Sequence, residues 1–138
     1  MRFIDANVFI YAVLKPRGPL SEEVSRIKQG ERSILSRVNS GEEVVTTVVH
    51  LSEVANVLED VAGIKVATSF IRDLMTKENI IVDPVAPKEY LESVLLAEEK
   101  RVSVNDALAY LAMRRRGIEE IYTFDKHFER LGVRIVKG

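Results

Sequence analysis

Short apolar runs that favour β-strands alternate with longer amphipathic segments along the chain. The runs lack a regular alternation of polar side chains, which indicates strands that are buried on both faces. Strands of this kind, separated by helices, predict an α/β fold with a parallel sheet covered on both sides. The predicted strands are Arg2–Ile4, Val44–Thr46, Ile80–Pro84, Ile121–Phe124 and Val133–Val136.

Start and stop signals delimit the helices between these strands. Asn7, Ser21, Thr47 and Ser103 stand at expected N-cap positions, where a side-chain oxygen can accept a backbone hydrogen bond. Pro87 suits the first turn of another helix. Gly30 is a candidate break within the helix that follows Ser21.

The composition is that of a folded domain, with 46% hydrophobic and 30% charged residues in 138. This length predicts one domain over residues 1–138 with a single core. No apolar run approaches the roughly 18 residues of a membrane span, and the N-terminus lacks signal-peptide features. The absence of cysteine excludes disulfides, so we expect a cytoplasmic protein. A net charge of −1 neither favours nor excludes a nucleic-acid partner.

Acidic residues from four separate parts of the chain fall at one predicted edge of the sheet. Right-handed crossovers place the carboxyl ends of parallel strands along the same edge. Asp5 follows the first strand and Asp125 follows the strand 121–124, while Asp106 and Glu53 lie in helices that begin at that edge. We therefore expect the four carboxylates to converge.

Such a convergence requires a cation. Two carboxylates about 4 Å apart repel by roughly 4 kcal/mol at an effective dielectric constant of about 20. Mg²⁺ takes oxygen ligands and is typically held by carboxylates together with substrate phosphate. A pair of such ions can stabilise both the attacking and the leaving oxygen of a displacement at phosphorus. The predicted chemistry is phosphodiester hydrolysis.

The segments around the acids are DAN at Asp5, HLSEVANVL at Glu53, SVNDALAYLAMRRRG at Asp106 and YTFDKHF at Asp125. In order and spacing they resemble the acidic quartet of the PIN domain family, compact ribonucleases that include the VapC toxins of VapBC toxin–antitoxin pairs. The resemblance covers essentially the whole chain. It implies a three-layer α/β/α sandwich with a roughly five-stranded parallel sheet, and cleavage of single-stranded RNA with Mg²⁺ or Mn²⁺.

The same resemblance assigns the site residues. It implies that Asp5, Glu53, Asp106 and Asp125 are the catalytic and metal-binding residues. The polar side chains that accompany the first and the last acid in the family are matched here by Asn7 and Thr123. Asp125 corresponds to the family's most variable acid.

A VapC-like resemblance also implies partners, namely a cognate antitoxin and a second copy of the chain in a homodimer. An antitoxin arginine or lysine could occupy the acidic pocket in place of the metal. We expect the antitoxin to dock near the loop Lys15–Pro19, where Leu14, Leu20, Val24 and Ile27 exceed what the core needs.

Each acid also has a structural interpretation. Asp106 can complete a capping arrangement with Ser103, and Asp5 or Asp125 can belong to a turn. Glu53 can be a solvated residue on a polar helix face. The functional interpretation depends on all four lying at one edge.

Other polar residues are interpreted as peripheral. Asp83 also follows a strand, but the proline after it favours a role in a turn. His50 and His127 belong to no recognisable nucleophile–base set and are interpreted as structural or peripheral. Arg114 and Arg116 complement the dipole at the end of their helix and are possible contacts to an RNA backbone.

Alternative classes remain open at this point. A receiver domain needs an acidic pair before the exit of its first strand, and a haloacid-dehalogenase phosphatase needs aspartate where Asn7 stands. A catalytically silent PIN-like module that binds RNA or protein, and a stand-alone RNA-processing nuclease, are the closer alternatives.

Overall fold

A computed structural model describes residues 1–14 and 21–138 and contains a five-stranded sheet. The strands are β1 (Arg2–Ile4), β2 (Val44–Thr47), β3 (Ile80–Asp83), β4 (Glu120–Tyr122) and β5 (Arg134–Val136). Their order across the sheet is β3-β2-β1-β4-β5, and every pairing is parallel. The predicted α/β fold with a five-stranded parallel sheet is therefore confirmed.

Six α-helices and one 3₁₀ helix connect these strands within the described ranges. They are α1 (Ala6–Val13), α2 (Glu22–Asn39), α3 (Val48–Ala62), α4 (Ile64–Met75), α5 (Pro87–Lys100), α6 (Val104–Arg116) and the 3₁₀ helix Lys126–Leu131. The predicted caps Ser21, Thr47 and Ser103 each accept a backbone hydrogen bond in the first turn. Pro87 occupies the start of α5 as expected.

The prediction of Asn7 as a helix cap is wrong, because Asp5 caps α1 instead. An Asp5 carboxylate oxygen accepts a hydrogen bond from the backbone N–H of Ala6. Asn7 lies inside the helix, where its side chain is free to bond to Thr123 in the segment after β4.

The predicted break at Gly30 is also wrong, since α2 runs without interruption from Glu22 to Asn39. The glycine serves a close approach between two backbones. A β-carbon at position 30 would overlap the carbonyl oxygen of Lys137, which crosses the helix at this point. Glycine in mid-helix costs up to about 1 kcal/mol relative to alanine, and here it makes room for the end of the chain.

The two faces of the sheet carry separate hydrophobic cores. Neighbouring strand residues point to opposite faces, so Ile4 joins one core and Phe3 the other. The first core packs the sheet against α1, α2, α3 and α4, and the second packs it against α6 and the 3₁₀ helix. Helix α5 lies against α6. The molecule is thus the expected α/β/α sandwich.

Strand ends differ from the sequence expectation at the carboxyl edge of the sheet. β4 ends at Tyr122 instead of Phe124, because the hydroxyl of Thr123 turns to donate to Asp5 at 2.8 Å. β3 ends at Asp83, and β5 begins at Arg134. No helix in the described part of the chain is both long enough and apolar enough to span a membrane.

Candidate metal centre and active site

Asp5 lies at the carboxyl end of β1, in the centre of the sheet edge. One carboxylate oxygen accepts from the backbone N–H of Ala6 at 2.8 Å and the other accepts from the Thr123 hydroxyl at 2.8 Å. The side chain is almost completely buried, with 6% of the residue exposed. Burial, followed by repulsion from Asp106 and Glu53, raises the pKa of Asp5 from 3.8 to about 7.

Asp106 enters the same edge from the first turn of α6. Ser103 caps this helix by accepting from the backbone N–H of Asp106 at 3.0 Å, which fixes the position of the aspartate. Only 7% of Asp106 is exposed. Burial and then repulsion from Asp125 raise the pKa of Asp106 to about 6. One carboxylate oxygen of Asp106 lies within 4.8 Å of one of Asp125.

Asp125 stands three residues beyond the end of β4 and caps the 3₁₀ helix. Its Oδ1 accepts from the backbone N–H of His127 at 2.9 Å and lies 3.2 Å from the ring Nδ1 of the same histidine. Asp106, Asp125 and His127 each offer one ligand atom, and these atoms lie within 4.8 Å of one another. Within the described ranges they form a group that could hold a metal ion.

Glu53 reaches the cluster from the second turn of α3 and is held there by Asn105. The Asn105 side-chain amide donates to the Glu53 carboxylate at 2.5 Å. The backbone carbonyl of Asn105 contacts the Nε2 of His50 at 3.0 Å, and the Nδ1 of His50 contacts the Thr47 hydroxyl at 2.7 Å. This network connects the starts of α3 and α6 and thereby fixes the position of Glu53 relative to Asp106.

His50 is a buried residue that supports the fold at the start of α3. It is 1% exposed and packs edge-on against Phe3 at 5.1 Å between ring centroids. Burial lowers the pKa of His50 to about 4. The imidazole is therefore neutral at physiological pH and contributes hydrogen bonds without adding charge beside the acids.

Asn7 and Thr123 form a polar bridge between α1 and the segment after β4. The Asn7 amide donates to the Thr123 hydroxyl oxygen at 3.2 Å, and the backbone N–H of Asp125 donates to the same oxygen at 3.1 Å. Since Thr123 in turn donates to Asp5, one hydroxyl aligns the first acid with the last. The hydrogen bonds of Asn7 and Thr123 thus connect the segments that contain Asp5 and Asp125.

The cluster formed by Asp5, Glu53, Asp106 and Asp125 contains four carboxylates, which no lysine or arginine neutralises in the part of the chain that the structure describes. Among residues 1–14 and 21–138, no arginine or lysine makes an ion pair with any of the four. Buried, mutually repelling carboxylates raise their pKa values unless a cation neutralises them. A hard divalent ion takes oxygen ligands, and its positive charge would offset the repulsion among these carboxylates. The residues present therefore suit Mg²⁺ or Mn²⁺.

Asp83 lies at the same edge of the sheet but in a different electrostatic setting. Its two carboxylate oxygens accept from the Arg116 guanidinium at 2.6 and 2.8 Å. A second pair joins Arg115 to Glu89 at 2.5 Å nearby. The turn role proposed for Asp83 is replaced by this bidentate pair, which connects β3 to the end of α6.

The pair also alters the interpretation of the arginines. The Arg116 guanidinium is held by Asp83, so its proposed contact with an RNA backbone competes with an internal pair. The Arg114 guanidinium lies 5.8 Å from the centre of the Tyr110 ring and is exposed. Arg114 is the better placed of the two for an RNA contact.

Sequence reasoning missed two residues of the site, His127 and Asn105. His127 follows Asp125 by two residues, and the 3₁₀ cap turns its ring back toward the aspartate. Asn105 directly precedes Asp106, on the turn that faces α3. Polar side chains adjacent to candidate ligands were the available signal in both cases.

The surface proposed for an antitoxin lies partly outside the described residues. The loop Lys15–Pro19 and Leu20 belong to that gap. On either side of it, Val24 is exposed, and Leu14 and Ile27 are partly buried.

The comparisons with known proteins agree with this geometry. The family model of the PIN domain matches residues 2–134. Among solved structures, Mycobacterium tuberculosis VapC20, described as a toxin that cleaves the sarcin–ricin loop, superimposes with a TM-score of 0.75. Its sequence is 17% identical, and the alignment covers 96% of each chain. No curated protein sequence matches the chain. A family match over nearly the full length, on a fold with the same architecture, shows that the chain belongs to the PIN domain family.

Proposed function

We propose that this protein is a divalent-metal-dependent ribonuclease that cleaves single-stranded RNA. The observation that carries the proposal is the acidic cluster at the carboxyl edge of the sheet, which no arginine or lysine of the described residues neutralises. One carboxylate oxygen of Asp106 lies within 4.8 Å of one of Asp125, and Asp5 is repelled by both Asp106 and Glu53. Because burial and these neighbours raise the pKa values of Asp5 and Asp106, the folded protein favours a bound cation at this position.

The residues of the chain have distinct roles in this proposal. Asp5 and Asp106 are the buried ligands whose positions are set by caps and hydrogen bonds. Asp125 completes the open side, where 31% of its side chain is exposed to solvent. Glu53 is oriented by Asn105, and Thr123 with Asn7 aligns Asp5 and Asp125.

Mg²⁺ or Mn²⁺ is the cofactor that this donor set fits. When bound, such an ion would supply the positive charge that activates water and stabilises the developing charge on the phosphate. The carboxylates would hold the ion at the edge of the sheet, and we place the RNA strand on the side of the cluster where Asp125 is partly exposed. Single-stranded RNA fits an open edge better than a duplex, because its backbone can bend toward the acids.

The activity test is incubation of the purified protein with a mixed pool of single-stranded RNA in Mg²⁺, in Mn²⁺ and in EDTA. We expect cleavage with either ion and none with EDTA. Asp106→Asn should lose cleavage while keeping the fold, as checked by circular dichroism. Wild-type protein that binds RNA without cutting it under all conditions would support the catalytically silent module instead.

We further propose that the nuclease is the toxin of a toxin–antitoxin pair in the cytoplasm. The support is the family membership and the similarity in fold to VapC20, itself described as a toxin. An arginine of the antitoxin is well suited to the acidic cluster, since a guanidinium can bind carboxylates in a bidentate way. On α2, Val24 is exposed and Ile27 is partly buried, and both offer apolar contact to such a partner.

Co-expression with the product of the neighbouring reading frame tests the toxin assignment. We expect a complex that survives purification and no longer cuts RNA. If no neighbouring product binds while the purified chain still cleaves RNA, the stand-alone RNA-processing nuclease is the correct alternative.

A homodimer is part of the same proposal. Apolar side chains at Leu91 and Leu95 on α5 are 58% and 57% exposed, one helical turn apart on the same face. A second copy of the chain could cover them. Sedimentation of the wild type and of Leu91→Glu checks this, with a dimer expected for the first and a monomer for the second. A wild-type monomer would remove the dimer from the proposal.

A further inference from the structure

His127 lies beside the two acids on the open side of the cluster. Its Nδ1 is 3.2 Å from the Oδ1 of Asp125. One ring nitrogen of His127, one carboxylate oxygen of Asp125 and one of Asp106 lie within 4.8 Å of one another. The residue is held in this position by its own backbone, whose N–H donates to Asp125 at 2.9 Å. The next residue, Phe128, is completely buried and anchors the 3₁₀ helix in the core.

The separation of the two donor atoms suits a shared ion. Donors bound to one metal at about 2.0–2.2 Å stand roughly 3.0–3.4 Å apart in octahedral or tetrahedral arrangements. The observed 3.2 Å between His127 Nδ1 and Asp125 Oδ1 lies within this range. The ring is also accessible, since 58% of the His127 side chain is exposed.

We infer that His127 is a ligand of the divalent ion held by Asp106 and Asp125, and that its nitrogen makes this site favour Mn²⁺ or Co²⁺ over Mg²⁺. The inference rests on the proposed metal-dependent nuclease and adds the selectivity of its site. Mg²⁺ prefers oxygen ligands, whereas transition-metal ions also accept imidazole. A neutral imidazole adds a donor to the cluster without adding to the repulsion among the acids.

The test measures the affinities of Co²⁺ and Mg²⁺, each ion alone, by calorimetry at one fixed pH. The proteins are wild type, His127→Ala, His127→Gln, Lys126→Gln and Asp106→Asn. His127→Ala removes the donor, and His127→Gln replaces the nitrogen with an amide oxygen or nitrogen of other geometry. Lys126→Gln is the matched control, because it changes an exposed neighbour on the same turn without removing an imidazole.

We expect both His127 variants to lose Co²⁺ affinity by at least about tenfold while Mg²⁺ affinity changes by less than about twofold. Lys126→Gln should shift the two affinities by the same factor. The visible absorption of the Co²⁺ complex should change in the His127 variants and stay as in wild type in Lys126→Gln. These results would support ligation by the imidazole.

Unchanged Co²⁺ affinity in His127→Ala, or an equal loss for both ions, would overturn the inference. In that case, loss of both ions in Asp106→Asn would leave the acidic metal site and the proposed nuclease intact. If the wild type binds neither ion, the inference and the proposed function fail together.

Discussion

Two buried aspartates at the same edge of one sheet have opposite electrostatic surroundings. Asp106 and Asp83 are each 7% exposed. Asp83 is neutralised by a bidentate pair with Arg116, whereas Asp106 faces Asp125 and pairs with no arginine or lysine within the described residues. Both aspartates lie at the edge of the sheet, so position alone does not distinguish them. The charge partner does, and we propose Asp106 as the metal ligand on that ground.

The same contrast holds for the surroundings of the two aspartates. Near Asp83, a second pair joins Arg115 to Glu89, so that Arg115 and Arg116 each have a carboxylate partner. Around Asp106, the hydrogen-bond donors to the carboxylates of the acidic cluster are the Asn105 amide, the Thr123 hydroxyl and the backbone N–H groups of Ala6 and His127. These groups orient the carboxylates but leave their charge in place. The first region contributes ion pairs to the fold, and the second contains repulsion that, in our proposal, a bound ion would remove.

The largest expected difference between the two aspartates is in RNA cleavage. Asp106→Asn should reduce the cleavage rate in Mn²⁺ by at least about 100-fold. Mutation of a residue that only hydrogen-bonds to a metal ligand already lowers metal affinity or activity by about 10–100-fold. Asp83→Asn should stay within about threefold of wild type at a temperature where it is folded. Initial rates on one labelled RNA measure both. Equal losses in the two variants would show that both aspartates act through the fold.

The pH dependence of stability should reveal the stored repulsion. The pKa of Asp5 in the folded protein, about 7, lies above its ordinary value of 3.8, so the folded state binds the proton more tightly. The metal-free protein is therefore stabilised at low pH by this group, and loses that stabilisation as pH rises toward 7. Each pH unit of the difference corresponds to about 1.36 kcal/mol, giving an effect on the order of a few kcal/mol.

This effect must be measured as a difference between variants, because His50 acts in the opposite direction. Its pKa of about 4 lies below the ordinary 6.5, so His50 removes stability as pH falls through that interval. The free energy of unfolding of Asp5→Asn minus that of wild type cancels the histidine term. We expect the difference to grow between about pH 4 and pH 7 and to level off above. If this difference in the free energy of unfolding is constant with pH, the pKa of Asp5 is not raised in the folded protein.

How far the sequence predicts this contrast depends on the range of the interactions. The alternation of strands and helices predicts the sheet, and the helix start at Ser103 predicts where Asp106 lies. The bond between Asp83 and Arg116 joins residues 33 apart in the chain and is set by the crossing of α6 over the sheet. Propensity and periodicity contain no information on that contact.

Local errors have the same origin. From local sequence alone, Gly30 predicts a helix break. In the structure the backbone at Lys137 crosses the helix so closely that a β-carbon at position 30 would overlap it. Asn7 is a good cap by type, yet Thr123 engages its side chain, and Asp5 takes the cap. In each case a tertiary partner decides between two roles that the residue could fill.

Stability of the metal-free protein should change in opposite directions in the two regions. Asp106→Asn removes repulsion from Asp125, so we expect the melting temperature to rise. Asp83→Asn leaves Arg116 without its carboxylate and should lower the free energy of unfolding by about 1–3 kcal/mol. Thermal unfolding in EDTA measures both. Destabilisation of similar size in the two variants would remove the distinction.

The smallest expected effect concerns the two arginines on α6. Arg114→Gln should weaken RNA binding by about two- to threefold. It should also lower the slope of the logarithm of the binding constant against the logarithm of the salt concentration by the contribution of roughly one phosphate contact. Arg116→Gln should mainly lower stability, because its guanidinium is engaged by Asp83. Binding of RNA to the EDTA-treated protein at several salt concentrations separates the two. A larger loss of binding in Arg116→Gln would assign the contact to that residue instead.

The most direct test of the acidic cluster as a cation site is the melting temperature as a function of Mn²⁺ concentration. A ligand at 100 times its dissociation constant stabilises the folded state by about 2.7 kcal/mol. We predict this stabilisation in wild type and in Asp83→Asn, the latter starting from a lower melting temperature, and little or none in Asp106→Asn. An equal response in all three proteins, or a response lost only in Asp83→Asn, would contradict the account.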